Sequence, residues 1–221
     1  MNLPKDRNYY KHAKIKFLDM LPSLKGRFLE IGCGEGATLE YVKSAGADFV
    51  AGVDINADAI AAAAGRGLDF LLAADAERDE LPFSPREFDV IILADVLEHM
   101  VEPWETLKKM TGYLKDDGHV LISIPNVRHY RVVRDLVLHD KWEYEDSGIL
   151  DSTHVRFFTL KETKKLLEFA GLAISRLGWR IHAGSLMKLM NVMLLNSLRP
   201  FLVFQYHILA VKKNLTSENR K

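Results

Sequence analysis

The sequence predicts an α/β chain built on a doubly wound, mostly parallel sheet with an antiparallel last strand, layered α/β/α. Three observations carry that prediction. Through residue 125, short apolar runs alternate with stretches of helical periodicity, the mark of strand–helix–strand units and a parallel sheet. The first run, Phe28-Leu29-Glu30-Ile31, opens into three glycines at alternate positions, Gly32, Gly34 and Gly36. Such a turn at a sheet edge is where open α/β folds take nucleotide-like ligands, because glycine permits positive φ and close approach. The last two strand-like runs are joined without a long crossover, so they pair antiparallel.

The elements follow in order. A helix over 9–21 would pack beside the sheet or over its site. Strands are expected at Arg27–Ile31, Phe49–Asp54, Phe70–Ala73, 88–93 and 120–124, with helices over 35–45, 57–64, 103–114 and 160–170. Asn56 suits an N-cap, Pro103 a first helical position, and Thr159 with Glu162 a capping box. Gly46, Gly65 and Gly118 punctuate helix ends and turns. Residues 126–152, rich in charge and aromatics, read as a lid rather than another repeat of the sheet. A strand at Leu172–Ile181, a helix over 185–198 and a last strand over 201–212 complete a Rossmann-like arrangement.

Composition bounds the function. The 221 residues make one domain, 1–221, with an acceptor-side insertion at about 126–158. Thirty basic residues balance thirty acidic ones, so no global field recruits nucleic acid or an anionic membrane. The single cysteine, Cys33, excludes an internal disulfide framework and reads as a small residue in a tight loop. The N-terminus lacks an apolar signal core, which fits a cytoplasmic protein. The 185–198 stretch is unusually apolar, yet Lys188, Asn191 and Asn196 interrupt it too often for a transmembrane span. It reads as a core helix, or as one facing a dimer partner, an apolar substrate or a membrane surface.

The glycine turn alone fits a dinucleotide as well as another adenosine-containing ligand. Glu30 favours the second, since a carboxylate there repels a pyrophosphate and welcomes an ammonium group. Asp54 and Asp75 end the second and third strands, and the fourth runs through Ala94-Asp95 into Val96-Leu97-Glu98-His99-Met100. Over about 27–124 this set resembles the class I S-adenosylmethionine-dependent methyltransferases. The resemblance implies S-adenosylmethionine as cofactor, with Gly32, Gly34 and Gly36 backing its methionine part and Glu30 near its amino group. It further implies Asp54 on the ribose hydroxyls, Ile55 packed on the adenine, and Asp75 with the Ala76 backbone at the adenine amino group. The Ala94 carbonyl would then lie near the methionine amine.

Ile124-Pro125-Asn126-Val127-Arg128-His129 and Asp151-Ser152-Thr153-His154-Val155-Arg156-Phe157-Phe158-Thr159 extend the likeness to 9–172. There it resembles a bacterial branch associated with surface-polysaccharide synthesis. That implies O-methylation of a sugar or glycan-linked acceptor, a step in which a hydroxyl proton must leave and a positioned base contributes about 10²–10⁴-fold. His154 is the first candidate base, oriented by Asp151, with His99 and His129 in reserve. Arg156 suits a phosphate or carboxylate on the acceptor, or a neighbouring acid. Asp151 and His154 alone fall short of a ligand set, so no metal is expected. A small-molecule carboxyl, carbon or amine acceptor, a cofactor-binding protein without transfer, and a nicotinamide enzyme remain as alternatives.

Overall fold

A computed structural model describes residues 15–182, 184 and 191–213 of the chain. Seven strands form it: β1 (Arg27–Ile31), β2 (Phe49–Asp54), β3 (Phe70–Ala73), β4 (Phe88–Ala94), β5 (Leu114–Pro125), β6 (Leu172–Ile181) and β7 (Val203–Lys212). They make one sheet in the order β3-β2-β1-β4-β5-β7-β6. The first five pair parallel, while β7 runs antiparallel between β5 and β6. The antiparallel last strand is as the sequence predicts. Its insertion between β5 and β6 is a long-range choice that no local pattern specifies.

Helices cover both faces. They are α1 (Ile15–Leu18), α2 (Ala37–Ser44), α3 (Ala57–Ala63), α4 (Pro103–Tyr113), α5 (Tyr130–His139), α6 (Leu160–Phe169) and the short α7 (Arg199–Leu202). Successive strand residues point to opposite faces, and the core divides accordingly. Leu29, Ile91, Leu93, Val120 and Ile122 join Leu107 and Met110 of α4 and Leu166 of α6 on one side. Phe28, Val90, Ile92 and Leu121 join Phe17, Leu39 and Val42 of α1 and α2 on the other. Burial on both faces is why the central strands read as continuous apolar runs.

Local signals act where the sequence places them. The Asn56 side chain accepts from the Asp58 and Ala59 amides, Thr159 accepts from the Glu162 amide, and Pro103 opens α4. Three differences stand out. β5 begins as soon as α4 ends, so Gly118 lies inside a strand rather than at a turn, where a Cβ would come 2.8 Å from Leu114 Cδ1. The 126–152 segment contains α5 rather than being irregular throughout. An isolated bridge joins Asn126 to Phe158, so this insertion leaves and rejoins the body at one place. Residues 9–14 of the first expected helix and 185–190 of the apolar one lie outside the described residues. Among the described residues, no helix is long and apolar enough to cross a membrane.

Candidate active site

Because β1, β2, β4 and β5 are parallel, Ile31, Asp54, Ala94 and Pro125 end at one edge of the sheet. The glycine loop is stitched there to β2, with the Gly32 and Cys33 amides donating to the Val53 carbonyl at 2.8 and 3.2 Å. Gly32, Gly34 and Gly36 all have positive φ, at 68°, 54° and 77°. Two of them also admit a neighbour from this chain. A Cβ on Gly32 would stand 2.2 Å from Val96 Cγ2, and one on Gly36 would stand 2.6 Å from Leu68 Cδ1. The loop is therefore closed from behind by the segment after β4.

Asp54 locks the loop from the front. Its two carboxylate oxygens accept from the Gly34 amide at 2.7 Å and the Asn56 amide at 2.8 Å, and each keeps lone-pair capacity for a further donor. Ile55 beside it is 72% exposed, an unusual state for an isoleucine next to a site. Glu30 lies buried within β1. Asp75 is turned partly into its own chain, accepting from the Glu77 amide at 2.9 Å, with Arg78 3.7 Å away. Ala76 is buried, and its carbonyl accepts from the Lys109 ammonium at 3.2 Å.

Cys33 packs against Gly52, where a Cβ would meet its sulfur at 2.7 Å. Burial, with the charges of Glu30 and Asp54 nearby, pushes its thiol far above the ordinary range. It is a packing residue.

The donor set fits S-adenosylmethionine. Acidic groups at Glu30 and Asp54 suit an ammonium and ribose hydroxyls, and the exposed Ile55 offers an apolar face for a base. The first turn of α2 carries no side-chain cap, leaving amide donors for a carboxylate.

Beyond Ala94, Asp95 adopts a left-handed φ of 57°, strained for a non-glycine residue and a mark of functional sites. Its Oδ1 accepts from the Ser123 hydroxyl at 2.7 Å and from the Gln205 amide. A 3₁₀ turn then carries Glu98 and His99, and the Val155 and Arg156 amides both donate to the Glu98 carbonyl, at 2.9 and 3.0 Å. Those two bonds bring His154 against the turn. The His99 and His154 rings meet edge to face with centroids 4.7 Å apart, and His154 Nε2 lies 3.9 Å from Glu98 Oε1.

The partners differ in detail from those the sequence suggests. His154 Nδ1 donates to the Ile149 carbonyl at 2.9 Å. The Asp151 carboxylate accepts from the Thr153 amide and hydroxyl, at 2.9 and 2.6 Å, and the carboxylate facing His154 Nε2 is that of Glu98. Thr153 in turn stands 3.1 Å from His99 Nδ1. Glu98, Thr153 and Asp95 escape the sequence reading. The Asp95-x-x-Glu98-His99 spacing is the available signal, but the partners of Glu98 and His99 lie more than fifty residues on.

His129 is elsewhere. It caps α5 and is 1% exposed, with Nε2 donating to the His182 carbonyl at 3.2 Å and its ring against Tyr130 and Phe204. Burial lowers its pKa. Its ring is thus buried among these neighbours at the start of α5. Arg156 donates to the Val101 carbonyl at 3.0 Å and stands 3.8 Å from Glu102.

The β3-β2-β1-β4-β5-β7-β6 sheet with this glycine loop and acidic strand ends is a doubly wound domain suited to an adenosine-containing ligand. The family model described as a methyltransferase domain matches residues 5–177, and the chain belongs to that family. The chain is 30% identical over 106 residues to a ubiquinone biosynthesis O-methyltransferase of Photobacterium profundum, covering 45% of this chain and 44% of that one. It is 28% identical over 170 residues to the enzyme of that name from Neisseria meningitidis serogroup C, covering 73% and 70%. The first of these matches spans under half the relative's length. A SAM-dependent methyltransferase of Archaeoglobus fulgidus shares the fold at a TM-score of 0.66 and 21% identity, over 90% of this chain and 92% of that one. The domain is an S-adenosylmethionine-dependent methyltransferase domain.

Proposed function

We propose that the protein methylates a hydroxyl of its acceptor, with the proton taken up in the Glu98–His99–His154 cluster. One observation carries this reading. Val96 closes the glycine loop from behind, and the turn bearing Glu98 and His99 begins at the next residue. The proton-accepting groups thus follow directly on the residue that backs the cofactor loop. When bound, the cofactor supplies a methyl group activated by its positive sulfur, so the protein's share is alignment and proton removal. The hydroxyl proton would leave to a ring nitrogen. His154, with Glu98 beside it, is the favoured base.

A sugar or glycan-linked hydroxyl is the acceptor favoured by the resemblance of 124–129 and 151–159. A second reading, an aromatic hydroxyl on an apolar carrier, draws on the relatives named for ubiquinone biosynthesis. It also draws on exposed apolar side chains at Val137, Leu138, Met193 and Leu195, each over 70% exposed. Incubation with S-adenosylmethionine and two acceptor panels separates them, one of nucleotide- and lipid-linked sugars, the other of prenylated catechols. Mass spectrometry of the product reads the methyl ether. A methylated nitrogen or carbon as the only product would remove the hydroxyl reading altogether.

A further inference from the structure

We propose that Glu98, His99 and His154 bind one divalent transition-metal ion. One ligand-type atom from each lies within 4.8 Å of the other two, and Glu98 and His154 are buried. Proximity alone would be weak. The hydrogen-bonded state of the two rings makes the argument.

A carbonyl oxygen only accepts, so the Ile149 carbonyl at 2.9 Å fixes the hydrogen of His154 on Nδ1. At His99 the same conclusion follows twice. Its Nδ1 lies 3.1 Å from the Thr153 carbonyl. It also lies 3.1 Å from the Thr153 hydroxyl, whose hydrogen is directed to Asp151 Oδ1 at 2.6 Å, so that oxygen can only accept from the ring. Both imidazoles therefore carry hydrogen at Nδ1, which makes Nε2 the lone-pair nitrogen of each. Metal-bound histidines are held in this way, the N–H of the far nitrogen donating to a carbonyl, a carboxylate or another acceptor oxygen. Asp151 thereby gains a positioning role, exerted through Thr153 on His99.

The donor set selects the class of ion. Two imidazoles and one carboxylate suit zinc, manganese, iron(II) or cobalt(II), whereas magnesium and calcium prefer oxygen ligands throughout. Three protein ligands leave coordination positions open, as catalytic rather than structural sites do. The placement is functional as well, beside the segment that backs the cofactor loop. The inference deepens the hydroxyl-transfer reading and rests on it only for its consequence. With an ion bound, its charge would promote ionisation of the acceptor hydroxyl and the proton would pass to solvent; in the metal-free protein the rings remain the proton acceptors described above.

Binding is measured without an acceptor. Full-length protein stripped with a chelator is titrated with Co²⁺ alone and followed by visible absorption, then back-titrated with Zn²⁺. The expected result is one ion per chain and a ligand-field spectrum of mixed nitrogen and oxygen donors. Affinity should fall by about 10–100-fold on loss of a held ligand or its support, in His99→Ala, Glu98→Gln and Thr153→Val. His139→Ala, which removes the exposed ring 3.3 Å from Asp135, should leave it unchanged. No saturable binding, or equal affinity in His99→Ala and Glu98→Gln, overturns the proposal. Retained S-adenosylmethionine binding certifies that each variant is folded. Should Glu98→Gln fail to fold, the half-buried His99→Ala decides. A wild-type protein that binds Co²⁺ but never transfers to oxygen would instead sink the transfer reading and leave the ion site standing.

Discussion

Around Gly32–Gly36 the chain builds its site from backbone, whereas around Glu98–His154 it builds from side chains drawn together across the fold. The first region is a loop pinned by Asp54 through one amide on each side, twenty residues and two residues away in sequence. The second depends on two amides of a distant segment reaching the Glu98 carbonyl. Backbone sites demand particular φ values and therefore leave glycines in the sequence. Side-chain clusters demand only proximity, and leave residues that look ordinary until the fold assembles them.

The largest expected effect attacks the backbone half. Gly32→Ala forces a side chain onto φ 68° and within 2.2 Å of Val96 Cγ2. Strain of that kind costs roughly 1–3 kcal/mol, and overpacking adds a similar amount. Calorimetry should show S-adenosylmethionine affinity falling by well over tenfold. The double variant Gly32→Ala/Val96→Ala relieves the contact but not the φ, so a partial return is expected. A full return would mean that the turn tolerates alanine and only packing selects glycine.

Asp54→Asn comes next. An amide side chain cannot accept through both terminal atoms, so either the Gly34 or the Asn56 amide loses its partner. A buried donor left unsatisfied costs about 1–3 kcal/mol, and cofactor affinity should fall by roughly tenfold or more. Unchanged affinity would show that the loop holds its shape without the carboxylate.

The side-chain half is tested by Thr153→Val, which removes the hydroxyl between Asp151 and His99 while keeping the shape. Loss of a hydrogen bond of about 0.5–1.5 kcal/mol should lower kcat several-fold with S-adenosylmethionine affinity unaltered. If affinity fell in step with kcat, the two halves would be one coupled unit, and the contrast between them would fail.

The same contrast explains what was legible. β1, β2, β3 and β6 can be delimited from apolar runs and their bounding turns, and the Asn56, Pro103 and Thr159 helix starts from capping chemistry. Each is a local property. The extension of β5 back to Leu114 is not local, because Asp89 on β4 accepts from Lys115 at 2.8 Å and helps hold that stretch beside the sheet. Nor is α5, a helix with only Val132 buried among its residues, whose polar and aromatic flanks mimic a loop. At the site, Glu30 just before the glycine turn and Asp54 at the end of β2 stand out as candidates from local position alone. Glu98 and Thr153 do not, since their meaning lies in contacts between segments more than fifty positions apart.

His129 offers a pH test away from both halves. Burial lowers its pKa from 6.5, so the folded state resists the proton that the unfolded chain accepts. Stability from this source is fully present above about pH 6.5 and declines as pH falls below it. The thermal midpoint should drop between neutral pH and about pH 5, and His129→Gln should flatten that part of the profile. A profile unchanged by the substitution would assign the acid sensitivity to another group.

The smallest effect is expected at Asp89, which stabilises the fold without touching the site. Its partly exposed carboxylate is desolvated, which opposes ionisation, but the Lys115 ammonium and the Arg27 amide outweigh that and hold its pKa below 3.8. A depressed carboxylate contributes above the unfolded pKa, so the stabilisation persists at neutral pH and is lost as pH falls below about 4. Solvent screening limits the pair to about 0.2–1 kcal/mol. Asp89→Asn should therefore lower the denaturation midpoint slightly at neutral pH, converge with wild type in acid, and leave cofactor binding untouched. A measurable loss of S-adenosylmethionine affinity would mean that strain at this end of β4 reaches Asp95 at the other, making the strand itself a coupling element between the stable body and the site.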